Sequence, residues 1–294
     1  MNDKPCISEK KLPKRFPAQH QEVQPGIESA MIPRPIYDDP CYLGAGKLKD
    51  KVALITGGDS GIGRAVAVAF AKESACVAIS YLYEDSDAQM TKEVVESYGA
   101  KCRLYRGDIR GEEFCRNLVC NVVSDFGALD ILINNAGVQF PQPSIENISK
   151  DQLYMTYEVN VFPLFYLTQE ALRYMGEGSC IINTASVTAY EGNVQLIDYS
   201  STKGAVVSFT RALSQTLVKR GIRVNAVAPG PIWTPLIVSS FSADYVTTFG
   251  NEVPMKRAGQ PYELAPTYVY LASRDSTYVT GQVLHVNGGT LTDS

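Results

Sequence analysis

Three residues of this chain, Ser186, Tyr199 and Lys203, have the types and spacing needed to move a proton. Tyr199 and Lys203 are four residues apart, which on a helix places both side chains on one face, and Ser186 precedes Tyr199 by thirteen residues. A free tyrosine has a pKa of about 10, so proton exchange near neutral pH requires a stabilised phenolate. Lowering that pKa to about 7 requires roughly 4 kcal/mol, more than one partly solvated lysine supplies. We therefore expect a second positive charge beside Tyr199.

A glycine-rich turn lies near the start of the predicted strands and helices that would position these residues. Residues 56–63 read Thr-Gly-Gly-Asp-Ser-Gly-Ile-Gly and lie between an apolar run and a helical stretch. Glycines there permit a tight turn and a close approach to a pyrophosphate, which the helix N-terminus attracts. A purely structural turn is the alternative, but this context favours nucleotide binding. The predicted phosphate-binding residues are Gly57, Asp59, Ser60, Gly61, Ile62 and Gly63.

The end of the second predicted strand should lie against the adenosine ribose of such a nucleotide. An acidic residue there pairs with a ribose 2′-hydroxyl, whereas a basic residue accommodates a 2′-phosphate. This chain instead has Ser80, Tyr81 and Leu82, without an arginine at this place. The cofactor is therefore expected to be NAD or NADP with a lean to NAD, since Ser80, Tyr81 and backbone groups could still bind a 2′-phosphate.

From residue 47 onwards, short apolar runs alternate with helical stretches. Strands are predicted at 52–56, 76–80, 102–105, 131–133, 180–183, 223–227 and 283–286. Helices are predicted at 62–72, 86–98, 112–125, 150–174, 198–219 and 263–272. Strands that are apolar throughout and separated by helices indicate a parallel sheet covered on both faces. The predicted fold class is α/β, a doubly wound (Rossmann), mostly parallel seven-stranded sheet in a single domain at 47–294, with ligands at the carboxyl ends of its strands.

Composition argues against several other classes of protein. The 294 residues carry a net charge of −4, so we expect no nucleic-acid partner. No apolar run approaches the roughly 18 residues that cross a membrane, and the N-terminus is polar, which favours a cytoplasmic protein. The seven cysteines include no Cys-x-x-Cys pair and are expected to be buried thiols instead of disulfides or metal ligands. The two histidines lack partners at ligand spacing, so no metal site is expected.

Residues 1–46 differ from the rest of the chain. They contain seven of the sixteen prolines and no sustained apolar period. We expect an N-terminal extension that is either disordered or extended as an arm on a neighbouring subunit. In the second case the anchoring residues would be Ile32, Ile36, Tyr37, Tyr42 and Leu43.

The order of the motifs points to a family. Besides the glycine-rich turn and the Ser, Tyr and Lys residues, the chain contains Asn-Asn-Ala-Gly at 134–137, Asn160 and Pro229-Gly230. Over residues 47–294 it resembles the short-chain dehydrogenase/reductase family in its single-domain form. The extension and the segments at 47–51, 81–82 and 254–261 are similar to a bacterial subgroup of general-stress proteins and NAD(P)-dependent aldehyde reductases.

The resemblance implies a role for each motif. Tyr199 and Ser186 would bind the substrate carbonyl, with Tyr199 supplying the proton and Lys203 also binding the nicotinamide ribose. Asn160 would hold a water that links Lys203 to solvent; as a core asparagine it would merely stabilise a helix bulge. The implied cofactor contacts, besides the phosphate turn, Tyr199 and Lys203, are Tyr81, Leu82, Asp108 at the adenine amino group, Ile109, Asn135, Ala136 and Gly137, and, along the nicotinamide, Pro229, Gly230, Ile232 and Thr234.

The implied reaction is hydride transfer between NAD(P) and a small aldehyde, ketone or alcohol. Apolar residues in a predicted lid at 234–253 favour such a substrate, and Tyr190 and Gln195 are expected to flank it. A sugar such as glucose is an alternative substrate, and a non-catalytic nucleotide sensor is an alternative function. An extended-branch epimerase would have a larger C-terminal domain, and a divergent enoyl reductase would have a wider Tyr-to-Lys spacing.

An assembly is also expected. The predicted helices at 150–174 and 198–219 carry apolar residues on more than one face, which is typical of helices packed between a sheet and a partner subunit. The last strand ends in Asn-Gly-Gly at 287–289, which resembles a family segment at a second dyad. We expect a homotetramer, which deletion of the extension should weaken if the extension clasps a neighbour.

Overall fold

A computed structural model describes residues 6–8 and 12–290 of the chain. Within these residues, seven parallel strands form one sheet in the order β3-β2-β1-β4-β5-β6-β7. The strands are β1 Val52–Thr56, β2 Cys76–Tyr81, β3 Cys102–Arg106, β4 Ile131–Asn134, β5 Cys180–Thr184, β6 Arg223–Pro229 and β7 Val283–Val286. The prediction of a doubly wound, parallel seven-stranded sheet is confirmed. Because β1 pairs with both β2 and β4, the chain reverses its winding direction at β1, which places a ligand crevice at the carboxyl end of this strand.

The helices cover both faces of the sheet. In the described part of the chain they are α1 Gly61–Lys72, α2 Asp85–Ser97, α3 Glu112–Phe126, α4 Lys150–Asn160, α5 Phe162–Ala171, α6 Thr188–Glu191, α7 Ile197–Leu217, α8 Pro235–Val238, α9 Ala243–Val246 and α10 Ala265–Ala272. Successive residues of a strand point to opposite faces, so Ala53 and Ile55 pack with α1 and α10 while Val52 and Leu54 pack with α3 and α5. Both faces are therefore dry, as continuously apolar strands require.

The single helix predicted at 150–174 is wrong, because the structure breaks it at Val161. Val161 has φ −122° and ψ −52°, outside helical geometry, and α5 begins at the next residue. Pro163 lies in the first turn of α5, where its missing N–H is tolerated but would interrupt a continuous helix. Asn160 also turns its side chain to the backbone of Val138, donating to its carbonyl and accepting from its amide. The break therefore ends α4 at the asparagine that the sequence analysis had singled out.

The extension packs on its own chain. Phe16 stacks on Trp233 with ring centroids 3.7 Å apart, and the Trp233 indole donates to the carbonyl of Pro33 at 2.9 Å. Within the described part of this segment, the backbone is irregular apart from a short 3₁₀ helix at Glu28–Ala30. Cys6 and Cys41 are joined by a disulfide, with their Cα atoms 5.2 Å apart, so the expectation of thiols alone is wrong for this pair. Their pairing depends on the fold of the extension, which spacing did not reveal.

Among the described helices, none combines the length and apolarity needed to cross a membrane.

Candidate active site

A cleft of about 840 Å³ opens at the carboxyl ends of the strands around β1. Its volume suits a dinucleotide together with a small substrate. Of the predicted catalytic and cofactor-binding residues, two do not line it: Gly63, at the inner end of the phosphate turn, and Asn160, which lines a small cavity together with Lys203. The others line it together, and they are Gly57, Asp59, Ser60, Gly61, Ile62, Tyr81, Leu82, Asp108, Ile109, Asn135, Ala136, Gly137, Ser186, Tyr199, Lys203, Pro229, Gly230, Ile232 and Thr234.

Tyr199 and Lys203 lie one turn apart on α7, and both are buried. The Lys203 ammonium lies 5.5 Å from the centroid of the Tyr199 ring and donates to the carbonyl oxygen of Thr184 at 2.8 Å. Ser186 lies just beyond β5, where its hydroxyl oxygen accepts from the amide and hydroxyl of Thr188 at 3.2 and 3.1 Å. Since a serine hydroxyl has one donor, that proton is left for Tyr199 or a ligand. The three predicted residues therefore converge, and the partners Thr184 and Thr188 had no signal in the sequence.

The protonation of this group is governed by burial. Loss of water raises the pKa of Tyr199 to about 12, although a hydrogen bond from Ser186 offsets part of the rise. Burial lowers the pKa of Lys203 to about 8. The Lys203 ammonium donates to the Thr184 carbonyl and lies over the Tyr199 ring, and its placement beside the phenol oxygen stays a prediction. Because burial raises the pKa of Tyr199, we expect the positive charge that stabilises its phenolate to come from a bound ligand.

Asp198 fixes the start of α7 and hence Tyr199. Its carboxylate accepts from Gln152 Nε2 at 3.0 Å and from the Thr156 hydroxyl at 2.8 Å, both on α4, and from the amide of Tyr199 at 2.9 Å. Carboxylates near a helix N-terminus are favoured by the helix dipole. Sequence reasoning missed this role, since the residue reads as an ordinary first-turn acid.

Asn160 joins α4 to the loop after β4 and to α7. Its amide accepts from the Val138 N–H at 2.8 Å and donates to the Val138 carbonyl and to the Thr202 hydroxyl. A Cβ at Gly137 would lie 3.3 Å from Asn160 Oδ1 and 3.6 Å from Lys203 Nζ, so both polar groups flank this glycine. A second cavity of about 10 Å³, about the size of one water, is lined by Asn160 and Lys203.

The phosphate turn requires glycine for two different reasons. Gly57 has φ +61°, a conformation that other residues rarely adopt. A Cβ at Gly63 would lie 2.0 Å from the carbonyl oxygen of Gly57, so any side chain there would push α1 away from the turn. The Asn135 side chain donates to the carbonyls of Thr56 and Gly57 at 3.1 and 3.2 Å and so ties the loop after β4 to the turn. These contacts leave the N-terminus of α1 facing the cleft, as a pyrophosphate requires.

The adenosine end of the cleft is more acidic than the sequence suggested. Asp59 and Glu84 both line it and both are buried. Burial first, and the charge of Glu84 second, raise the pKa of Asp59 to about 7. The Ser80 hydroxyl, also in the cleft wall, has no hydrogen-bond partner among the described residues, which suits a ribose hydroxyl.

Asp108, expected at the adenine, is paired with a neighbour that the sequence analysis had not considered. Arg110 donates to Asp108 Oδ2 from Nη2 at 2.5 Å and from Nε at 2.8 Å, and from Nε to Oδ1 at 3.1 Å. This hydrogen bonding holds the pKa of Asp108 below its usual value. Both residues line the cleft, so the acceptor predicted for adenine is already charge-compensated.

The loop after β6 reaches the phosphate turn. A Cβ at Gly61 would lie 3.1 Å from Thr234 Cγ2, so Thr234 packs directly over the start of α1. A Cβ at Gly230 would lie 2.7 Å from the Cα of Asn287, which explains the glycine before this loop. The residues predicted for the nicotinamide end therefore adjoin those predicted for the phosphates.

The substrate end is apolar above and polar at its rim. Of the predicted lid residues, Leu236, Ile237, Phe241, Tyr245 and Phe249 line the cleft. Tyr190 and Gln195, expected to flank the substrate, do not line the cleft. Tyr190, on the short α6, packs edge-to-face on His285, with ring centroids 4.6 Å apart. The residues in their place are Thr188, Glu191 and Asn193, with Glu252 from the lid.

No arrangement of three or more His, Cys, Asp or Glu side chains in the described ranges could hold a metal ion.

The fold and site define a nicotinamide-dinucleotide-dependent oxidoreductase. A family model described as enoyl-(acyl carrier protein) reductase matches residues 57–291. The chain is 57% identical to general stress protein 39 of Bacillus subtilis, over 94% of this chain and 97% of that protein. It is 51% identical to the chloroplastic NADPH-dependent aldehyde reductase 1 of Arabidopsis thaliana, over 94% and 98%. A solved short-chain dehydrogenase from Burkholderia cenocepacia, in complex with NADP, is 30% identical with a TM-score of 0.78, over 83% of this chain and 98% of that one.

This chain belongs to the short-chain dehydrogenase/reductase family. It is an enzyme that transfers a hydride between NAD(P) and a carbonyl or alcohol substrate.

Proposed function

We propose that this enzyme reduces small uncharged aldehydes or ketones, or oxidises the corresponding alcohols, with Tyr199 as the acid and base. The observation that carries the proposal is the convergence of Ser186, Tyr199 and Lys203 at the end of the cleft that the apolar lid covers. An apolar wall with a few polar groups at one point suits a substrate with one reacting oxygen.

In the reducing direction, Ser186 and Tyr199 both donate to the substrate carbonyl oxygen. Thr188 holds the Ser186 oxygen from the other side and so directs its single proton into the cleft. A bound nicotinamide supplies the hydride in this direction and accepts it in the other. Tyr199 then donates its proton to the developing alkoxide: its raised pKa keeps the phenol protonated at neutral pH, and the alkoxide is a stronger base than the phenolate.

We propose that Lys203 and Asn160 return the proton to Tyr199. Lys203 lies in both cavity walls, the main cleft and the small cavity beside Asn160. The Asn134 carboxamide oxygen, also on the small cavity, has no hydrogen-bond partner in the described residues. One water bonded to these groups would satisfy that oxygen and connect Lys203 to the interior behind the cleft.

We propose that the enzyme uses both NAD and NADP with limited discrimination. The buried carboxyl groups of Asp59 and Glu84 favour a ribose hydroxyl over a phosphate dianion. The names of the aldehyde reductase and of the dehydrogenase complex favour NADP. The raised pKa of Asp59 reconciles the two, since a neutral carboxyl group repels a phosphate less.

A sugar or polyol is the second candidate substrate, favoured by the polar rim. Glu191, Asn193 and Glu252 line the cleft at the substrate end. Burial first, and the neighbouring charge of Glu252 second, raise the pKa of Glu191. Such groups accept hydrogen bonds from several hydroxyls and repel anions, so phosphorylated sugars would be poor substrates.

A homotetramer in the cytoplasm completes the proposal. Phe162 and Phe165 on α5 are 38% and 45% exposed, although residues of this type are usually buried. Phe165 packs on Phe209 of α7, ring centroids 4.9 Å apart, to give an outward apolar surface of two helices. Five described cysteines are free thiols, which is usual for proteins of a reducing compartment and supports the cytoplasm. The Cys6–Cys41 disulfide is unusual for such a compartment.

The test is a panel of aldehydes, ketones, sugars and secondary alcohols assayed with both cofactors. We expect turnover of small neutral carbonyls with either cofactor, and weaker turnover of phosphorylated sugars. Nucleotide binding without turnover of any member would contradict the proposal and favour a nucleotide sensor.

A further inference from the structure

The extension contributes a wall of the cleft. Its residues at 22–26 line the same cavity as Tyr199 and the phosphate turn. One of them, Gln24, crosses the opening: its amide donates to the carbonyls of Gln139 at 2.7 Å and Ser239 at 3.3 Å and accepts from the Gln139 N–H at 3.1 Å. Gln139 follows β4 on one side, and Ser239 belongs to the lid at 234–253 on the other. A single side chain of the extension therefore joins the two walls.

The backbone around Gln24 is held against the lid as well. The Gln21 N–H donates to the Val238 carbonyl at 2.8 Å. A Cβ at Gly26 would lie 2.8 Å from the Pro235 carbonyl oxygen and 3.1 Å from Ser239 Cβ. The extension and lid are thus in direct contact, with no room for a side chain at this glycine.

The inner end of this segment is anchored on the phosphate turn by Glu28, which is 1% exposed. Its carboxylate accepts from the Gly61 N–H at 2.6 Å and from Arg64, also buried. Asp87 on α2 accepts from the Glu28 amide at 2.7 Å, so the anchor reaches two helices. A buried charged residue is retained only when it is paired, and here the pairing joins the extension to the first turn of α1.

This anchor has a consequence for the phosphate site. The first amides of a helix have no partners within the helix and are the donors that bind a pyrophosphate. Glu28 uses the Gly61 amide, while the next residue, Ile62, faces the cleft. The carboxylate thus fixes the conformation of the turn and leaves the Ile62 amide for a ligand, and Arg64 compensates its charge.

We propose that residues 21–28 form an intrachain strap that keeps the lid closed over the dinucleotide, with Glu28 as the positioning residue that attaches the strap to the phosphate turn. The inference rests on the proposed use of a dinucleotide cofactor. The strap closes the cleft by contacts within one chain, so closure does not wait for the substrate. Slow release of the cofactor follows, because a bound nucleotide leaves only when the Gln24 and lid contacts open.

The experiment measures release of NADPH from the full-length protein, by chasing its fluorescence with excess NADP in a stopped flow. Gln24→Ala removes the bridge, Gly26→Ala pushes the lid outward, and Glu28→Gln keeps an acceptor for Gly61 but removes the charge that pairs with Arg64. We expect each to release NADPH roughly tenfold faster, the effect of losing one or two hydrogen bonds. Glu93→Gln, exposed on α2, is the matched control and should change release less than about twofold.

Hydrogen exchange of the lid amides supplies a readout in the free protein. Exchange at 235–249 should accelerate in the Gln24 and Gly26 variants and stay unchanged in Glu93→Gln. Unchanged NADPH release and unchanged lid exchange in Gln24→Ala and Gly26→Ala would overturn the strap. These two variants also test the proposal if Glu28→Gln does not fold. If the wild type binds no NADPH, the cofactor assignment fails, and lid exchange alone still decides whether the strap holds the lid.

Discussion

Tyr199 and Lys203 show how strongly a site depends on what a ligand adds to it. Burial disfavours the charged form of each side chain. It raises the pKa of Tyr199 to about 12 and lowers the pKa of Lys203 to about 8. The phenol can therefore act as an acid at neutral pH, but it becomes a base only beside another positive charge. An oxidised nicotinamide carries such a charge, which couples the base form to cofactor binding.

Replacing Lys203 with alanine should affect both binding and the pH profile. With oxidised cofactor and an alcohol, the rate needs the phenolate and therefore rises with pH to a plateau. Loss of the Lys203 ammonium should raise the pKa of Tyr199, so the rise moves to higher pH, and cofactor binding should weaken roughly tenfold. Lys219→Ala, at an exposed site in the 3₁₀ turn just after α7, is the control and should keep the wild-type profile. A Lys203→Ala profile that coincides with wild type would contradict the role of this lysine.

Asp59 should make the stability of the free protein depend on pH. Its folded pKa of about 7 lies above the unfolded value near 3.8, so its stabilising effect is full below about pH 4 and is lost as the pH rises through 7. Asp59→Asn removes this ionisation but keeps the Asp59 carbonyl that Arg64 contacts. We expect the variant to gain stability over wild type between pH 5 and 8, by up to about 4 kcal/mol. Urea denaturation at several pH values measures the free energy of unfolding of both proteins. If that free energy depends on pH equally in wild type and Asp59→Asn, the Asp59 carboxyl group is not the cause of the dependence.

At the scale of elements, the alternation of apolar runs was enough to predict the strands, because strands buried on both faces have few alternative environments. The helix ends were predicted to within a few residues, except where a contact with a residue distant in sequence determines where the helix ends. The break at Val161 depends on Asn160 reaching Val138, a contact between α4 and the loop after β4. Likewise, the contact between Tyr190 and His285 joins residues distant in sequence, so no local pattern predicts it.

The end of β2 should control cofactor choice. Leu82 lines the cleft where the adenosine ribose is expected. Leu82→Arg adds a guanidinium that can pair with a 2′-phosphate, so the ratio of kcat/KM for NADP to that for NAD should rise about tenfold. Leu43→Arg, which adds the same charge at an exposed site of the extension, should leave the ratio unchanged. A wild type that rejects NAD and an unaltered ratio in Leu82→Arg would together contradict this assignment.

At the scale of the whole molecule, the extension is the part that sequence described least. It lacks apolar periodicity, so its burial could not be predicted, yet Phe16 and Met31 join the same apolar cluster as Tyr199 and the lid. The residues that carry its attachment, Gln24 and Glu28, are polar and read as surface residues. The site motifs were readable because glycine turns and the Tyr-Lys spacing are local, whereas the strap is formed by contacts between distant segments.

Assembly can be tested on the surface formed by α5 and α7. Phe165→Asp places a charge in the apolar surface around Phe209, so it should convert the proposed tetramer to smaller species. Ile145→Asp changes another exposed apolar residue and should leave the assembly intact. Light scattering of both variants and of a chain lacking residues 1–46 measures the masses. A wild-type monomer would rule out the assembly, and an unchanged tetramer after truncation would rule out a clasp between subunits.

The most direct test of the central claim is the turnover of Tyr199→Phe with a carbonyl substrate that the wild type reduces. The substitution removes the hydroxyl and keeps the ring that packs against the lid. We predict that turnover falls at least about a hundredfold, the usual contribution of a positioned acid, while NADPH binding measured by fluorescence is retained. Turnover within a few fold of wild type, with the cofactor bound, would contradict the assignment of Tyr199 as the proton donor.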